Sequence, residues 1–262
     1  MNPFLQVNDP DDPRLADYRH MRDRDLAAEG GRFVAESELV VRRLLASRLT
    51  THSVLATPTR LATLADALAR ATCPVYVATQ GVLDAIAGFH VHRGCLAIGQ
   101  RPSNATIPAD AKTILVLEDL VSADNLGASA RNAAAFGADA LMLSPRCADP
   151  YYRKAVRVSI GAVFQLPVVP CTRWPDDLLA LKAAGFELYG AVLDDRAALL
   201  PTVRRAPKVA LLLGTEGPGL SASARAACDH LITIPMAPGA DSLNVATAGA
   251  VALYHLQQAA DT

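Results

Sequence analysis

Paired cysteines, metal-ligand spacings, long apolar runs and the common nucleotide fingerprints are all missing from this sequence, and each absence removes a class of protein. Cys73, Cys95, Cys147, Cys171 and Cys228 are odd in number and never form C-x-x-C, which argues against a disulfide framework and a structural zinc site. The six histidines form no H-E-x-x-H pattern, His90 and His92 are the only close pair, and no metal site is expected. No uninterrupted apolar run approaches the roughly 18 residues that a spanning helix needs. The first nine residues lack a basic stretch followed by an apolar core, so no secretory signal is expected and the cytoplasm is the expected location.

The chemistry motifs are sparse as well. No G-x-G-x-x-G follows the first strand and no G-x-x-x-x-G-K-[ST] occurs, which sets aside dinucleotide and P-loop readings. A serine-nucleophile elbow, G-x-S-x-G, is missing too. A formal net charge of −1 leaves no overall basic footprint for nucleic acid. Local stripes exist at Arg19, Arg22, Arg24, Arg32, Arg42, Arg43 and Arg48, and at Arg153, Lys154 and Arg157; taken alone they read as solvated helix faces.

What is present is a 262-residue chain, 51% hydrophobic and 19% charged, long enough for one to two domains with a buried core. Helical spacing is predicted over 15–29 and 38–49, with an extended segment at 32–36. Strands at 53–56, 75–78 and 95–98 then alternate with helices at 61–69 and 81–87, an α/β arrangement. Residues 101–110 hold two prolines and little periodicity, and read as a linker between a domain at 1–100 and a second at 111–262. The second domain is predicted to have strands at 113–117, 140–143, 166–169, 187–191, 209–213 and 232–234, with helices between them and a last one at 244–258. Such alternation implies a roughly six-stranded, mainly parallel sheet.

Three blocks concentrate the chemistry. Val209–Leu213 is apolar without alternation, as a strand covered on both faces would be. Gly214-Thr-Glu-Gly-Pro-Gly219 follows, and its glycines permit positive φ and close approach of backbone amides to a ligand. Glu216 is its only charged residue, and Ser221 is placed to cap a helix after it. Ile234-Pro-Met236 ends the next strand, and Ser242 or Asn244 is placed to cap the last helix, whose N-terminus is a ready ligand site.

Together with Asn125-Leu-Gly-Ala-Ser-Ala-Arg131-Asn132, these blocks resemble, in order and spacing, the three motifs of the SpoU (TrmH) branch of the SPOUT RNA ribose 2′-O-methyltransferases, over about residues 113–258. Gly31-Arg-Phe-Val-Ala-Glu36 and Gly88-Phe-His-Val-His-Arg-Gly-Cys-Leu-Ala97 are similar to the RNA substrate-binding domain that precedes many such catalytic domains, although Ser37 stands where a glycine often follows the glutamate. The resemblance implies an α/β fold with a mainly parallel sheet and a C-terminal trefoil knot, preceded by a smaller α/β domain, and a homodimer packed through the knot. It implies S-adenosylmethionine held largely by main chain at Leu213, Gly214, Gly217, Ile234, Met236, Leu243 and Val245. It assigns Asn125, Arg131, Glu216, Ser242 and Asn244 to catalysis, and makes Arg32 and Arg93 candidates for RNA contact. Guanidinium is very hard to deprotonate, so Arg131 is expected to anchor a phosphate, with Glu216 holding Arg131 or the loop. The implied substrate is RNA, ribosomal before transfer; the alternative is a catalytically silent RNA-binding or ribosome-assembly factor.

Overall fold

The computed structural model describes residues 4–19, 23–28, 31–88, 91, 93–103 and 105–258. His90, His92 and parts of the predicted 15–29 helix lie outside the described residues. The chain forms two compact units, Met1–Ser103 with Tyr151–Gln165, and Asn104–Pro150 with Leu166–Thr262.

The first unit contains β1 (Phe4–Gln6), α1 (Asp23–Ala28), β2 (Arg32–Glu36), α2 (Glu38–Leu45), β3 (Thr51–Ala56), α3 (Pro58–Leu68), β4 (Val75–Val77), α4 (Gln80–Ala87) and β5 (Cys95–Gln100). Its sheet runs β1-β4-β3-β5-β2. The first three strands are mutually parallel, whereas β5 is antiparallel to both β3 and β2. Leu15, Tyr18, Val34, Leu55, Leu96 and Ile98 form its core, and the buried Tyr18 hydroxyl is satisfied by Ser53 Oγ at 2.8 Å.

Two details depart from the expected pattern. Instead of one helix over 15–29, a 3₁₀ segment at Pro13–Tyr18 stops at the extended Arg19 before α1 begins. Asp12 accepts from the Arg14 amide and Pro13 starts the turn early, so the local cap overrides the longer periodicity. The strand β1 has only three residues, too few for alternation to show, and is held by parallel pairing to β4.

The second unit opens with β6 (Thr113–Leu117), α5 (Ala123–Ala135) and β7 (Ala140–Leu143). Tyr151–Gln165, with α6 (Arg153–Val158), then groups with the first unit, where Phe33 packs on Tyr151 and Phe164 with ring centroids 5.3 and 5.2 Å apart. The second unit resumes with β8 (Val168–Pro170), α7 (Asp176–Ala183), β9 (Glu187–Ala191), β10 (Ala198–Leu199), β11 (Val209–Leu213), α8 (Ala222–Ala227), β12 (His230–Thr233) and α9 (Val245–Gln258). Its seven strands are ordered β10-β12-β9-β11-β6-β7-β8 and every pairing is parallel. The six expected strands are joined by the two-residue β10. All residues of β6, β7 and β11 are buried, as strands with both faces covered require. From β6 the chain steps outward to β7 and β8, then crosses to the other side, where β11 inserts beside β6. That reversal is a switch point, and ligands of open parallel sheets sit outside the carboxyl ends of the strands there.

Ser37 occupies the turn into α2 with φ +91° and no side-chain cap bond. A serine there is strained where glycine is not. Ser37→Gly is expected to raise stability by about 0.5–1 kcal/mol, read as a higher urea midpoint with unchanged slope.

Candidate active site

The loop after β11 closes tightly on itself. A Cβ on Gly214 would lie 2.1 Å from the Gly219 carbonyl carbon and 2.3 Å from the Leu220 amide nitrogen, so only glycine fits. Thr215 O accepts from Gly219 N at 3.0 Å, with Gly217 and Gly219 at φ +84° and +72°. The chain therefore folds back on itself and projects Glu216. Ser221 Oγ accepts from the Ala224 amide at 3.1 Å and caps α8, as expected.

Three distant segments meet at this loop. Asn125 Nδ2 donates to Glu216 Oε1, and Asn244 Nδ2 donates to Asn125 Oδ1 at 2.9 Å and to Glu216 Oε1 at 3.5 Å. Asn244 Oδ1 accepts from the amides of Ala246 and Thr247 at 2.9 and 3.3 Å. Of the two cap candidates, Asn244 is thus the one bonded to the start of α9. Asn125 sits in the first turn of α5, whose cap Ser122 accepts from its amide. Two turns on, Asn132 Nδ2 donates to Ala246 O at 2.8 Å and ties α5 to α9. Close packing of α9 on β11 needs Gly249, where a Cβ would come within 2.6 Å of Leu213 Cδ1. At the end of β6, Asp119 holds φ +55°, and hydrogen bonds from Arg146 and then Ser144 keep its carboxyl below the ordinary carboxylate value.

A cavity of about 460 Å³ opens beside this cluster, a volume suited to a cofactor-sized ligand. Leu213, Gly214, Gly217, Ile234, Met236, Leu243 and Val245 all line it, as do Glu216, Ser242 and Asn244. Sequence reasoning missed Ala191–Leu193 at the end of β9, Arg225 of α8, and Ala248 and Ala252 of α9. The first group becomes a wall only because β9 neighbours β11, and no local signal marks it. The helical spacing from Val245 could have found the α9 pair: Ala248 and Ala252 follow it at three and seven positions.

Arg131 does not join the cluster. It lies six residues along α5 from Asn125, about 120° around the helix, is exposed, and its side chain has no hydrogen bond or ion pair among the described residues. Glu216 thus engages two amides and not the guanidinium. Ser242 is exposed at the cavity. In the first unit, Arg32 Nη1 donates to both carboxylate oxygens of Asp17 at 2.6 Å. Arg93 is exposed and lines a separate pocket of about 500 Å³ with Glu38, Leu39, Arg42 and Arg60. Arg42 and Arg60 share Glu38 there, at 3.2 and 3.4 Å.

The family model described as SpoU rRNA Methylase family matches residues 112–254. A Mycobacterium tuberculosis protein named as an uncharacterized tRNA/rRNA methyltransferase is 44% identical, over 95% of this chain and 90% of that protein. The Bacillus subtilis 23S rRNA (guanosine(2553)-2′-O)-methyltransferase RlmP is 27% identical over 96% of this chain and 99% of its own. Among solved structures, the SpoU methyltransferase AviRb from Streptomyces viridochromogenes in complex with AdoMet superposes with a TM-score of 0.79 at 25% identity, covering 95% of this chain and 98% of that one.

Because the crowding at Gly214 is against backbone, the loop has no side chain to move aside. Gly214→Ala is expected to cost about 1–3 kcal/mol in urea denaturation and to make residues 214–220 the first site of limited proteolysis.

Proposed function

Since the chain belongs to the SpoU rRNA methylase family, we propose that it is an S-adenosylmethionine-dependent methyltransferase acting on a ribose 2′-hydroxyl in RNA. The observation that carries this is the Asn125–Glu216–Asn244 cluster at a cavity lined by all seven residues expected to hold the cofactor. The cavity fits such a group: glycine-loop main chain on one side and the apolar Leu213, Ile234, Met236 and Val245 around it. S-adenosylmethionine, when bound, supplies an electrophilic methyl on a sulfonium.

The chain's own residues do the rest. Loops 213–217, 234–236 and 243–245 bind the cofactor. The Asn125 and Asn244 amides orient the ribose, and Glu216 fixes both amides in place. Ser242 lies at the mouth of the cavity to meet the same ribose. Arg131 anchors the neighbouring phosphate and offsets charge developing on the attacking oxygen. A 2′-hydroxyl is a weak nucleophile at neutral pH, so alignment supplies much of the acceleration, up to about 7–11 kcal/mol.

Ribosomal RNA is the preferred substrate and transfer RNA the alternative; the Bacillus subtilis relative, which aligns across both units, supports the first. The intact polar cluster speaks against a catalytically silent assembly factor. A C-terminal trefoil knot is supported by the family match over residues 112–254. A homodimer packed through it is supported by Val251 and Tyr254, exposed on α9 at 40% and 55%, and by Val121, exposed at 72%. No helix among the described residues is long and apolar enough to cross a membrane, and the proposed location is cytoplasmic. RNA contacts are assigned to Arg93, which has no partner among the described residues, and to Arg32, which would have to share its guanidinium with Asp17.

Labelled S-adenosylmethionine incubated with unmodified total RNA should label one RNA class. Arg131→Ala and Asn125→Ala are expected to lower that rate about 100-fold or more, and wild-type protein that binds cofactor without labelling ribosomal or transfer RNA would sink the assignment. Arg93→Ala should weaken RNA binding for all sequences alike and reduce the slope of log affinity against log salt by about 1; an unchanged slope would remove Arg93 from the interface.

A further inference from the structure

Glu118 is the first residue past β6 and is 3% exposed. The carboxylate accepts from neutral donors: Trp174 Nε1 at 2.7 Å and Ser221 Oγ at 2.6 Å on one oxygen, and the Ser221 amide at 2.8 Å on the other. Burying a carboxylate is costly unless its oxygens are hydrogen-bonded, and an apolar side chain of similar size would leave these three donors without an acceptor. The position of its partners shows what the group achieves there. Its own backbone N–H donates to Leu213 O at 2.9 Å, so one residue holds the chain where the glycine loop leaves β11 and again where it returns at Ser221. Between those two points lie Gly214–Leu220, a wall of the cavity, with Glu216 at the tip.

We infer that Glu118 is a positioning residue for cofactor binding, a clamp on both feet of the 214–220 loop that keeps Glu216 within reach of Asn125 and Asn244. The inference rests on the reading of this cavity as the S-adenosylmethionine site. A carboxylate suits the task better than an amide, because all three groups facing it are donors; a glutamine would turn an N–H toward at least one of them. Trp174 is the sole tryptophan of the chain, and its indole N–H rests on the same carboxylate. Its emission therefore reports the state of the clamp.

The test uses the full-length chain, with S-adenosylmethionine titrated by calorimetry and by Trp174 fluorescence, alongside initial rates with RNA. In Glu118→Gln, which is nearly isosteric, the dissociation constant and KM for S-adenosylmethionine should rise about tenfold. The KM for RNA should stay unchanged, and circular dichroism should match wild type. Cofactor should shift Trp174 emission in wild type, and saturating cofactor should fail to reproduce that shift in the variant. A merely structural role would lower the melting temperature and leave the cofactor constants and the emission shift as they were, and that result overturns the inference. Should Glu118→Gln not fold, Ser221→Ala removes one donor only and must weaken cofactor binding in the same direction for the inference to stand. Ala248→Phe fills the cavity from α9 and separates the two levels of the argument. If it binds cofactor like wild type, the cavity reading itself fails; if it loses binding while Glu118→Gln keeps wild-type affinity, only the clamp fails.

Discussion

The parallel pairing of β6 with β11 is the constraint on which the rest of the second unit depends. Five registered pairs run from Thr113 and Val209 to Leu117 and Leu213, so the two strands end side by side. Because they are parallel, both carboxyl ends face the same edge, and the segments that follow them emerge as neighbours. Asn125 and Glu216, 91 positions apart, come into hydrogen-bonding range for this reason. Parallel strands need long crossovers, and here the chain between them builds β7 and β8 on one flank and β9 on the other before β11 closes the gap. A slip of one residue would turn the side chains of β11 to the opposite face and take Leu213 O away from the Glu118 amide that it accepts from.

The start of α9 ties stability to the site. Asn244 spends its carbonyl oxygen on the helix cap and its amide on Asn125 and Glu216. A cap of this kind contributes on the order of 1 kcal/mol, while the amide bonds fix the rotamer that the cap also requires. The Asn132 bond to Ala246 O and the contact of Gly249 with Leu213 hold the same turn from two further sides. The polar cluster is thus held in place by the helix beneath it, and the helix is capped by one of the cluster's own members.

Local chemistry was legible in the sequence and long-range adjacency was not. The bounds of β6, β7, β9 and β11 follow from short apolar runs between turn residues, and the glycine loop follows from its own composition. Two-residue β10 and three-residue β1 carry no periodic signal, and the expected 15–29 helix gave way to the cap at Asp12. The basic stripe at Arg153, Lys154 and Arg157 looked like part of the second unit. Its segment groups with the first through Tyr151 and Phe164 on Phe33, an aromatic contact spanning more than a hundred positions. At the site, the motif residues lining the cavity were readable, because loops of that composition sit at strand ends. Leu193, Glu118 and Trp174 were not, since their part depends on strand order.

The choice Glu216 makes between partners has an electrostatic consequence. Had it paired with Arg131, as the sequence allowed, the guanidinium would enter the reaction already neutralised, and an incoming phosphate would have to compete with a carboxylate. Bound to two amides, Glu216 polarises groups that carry no net charge and leaves Arg131 with its full cationic charge on an exposed helix face. Under the proposed reading, that separation divides the labour between neutral groups that orient the ribose and a cation that meets the phosphate.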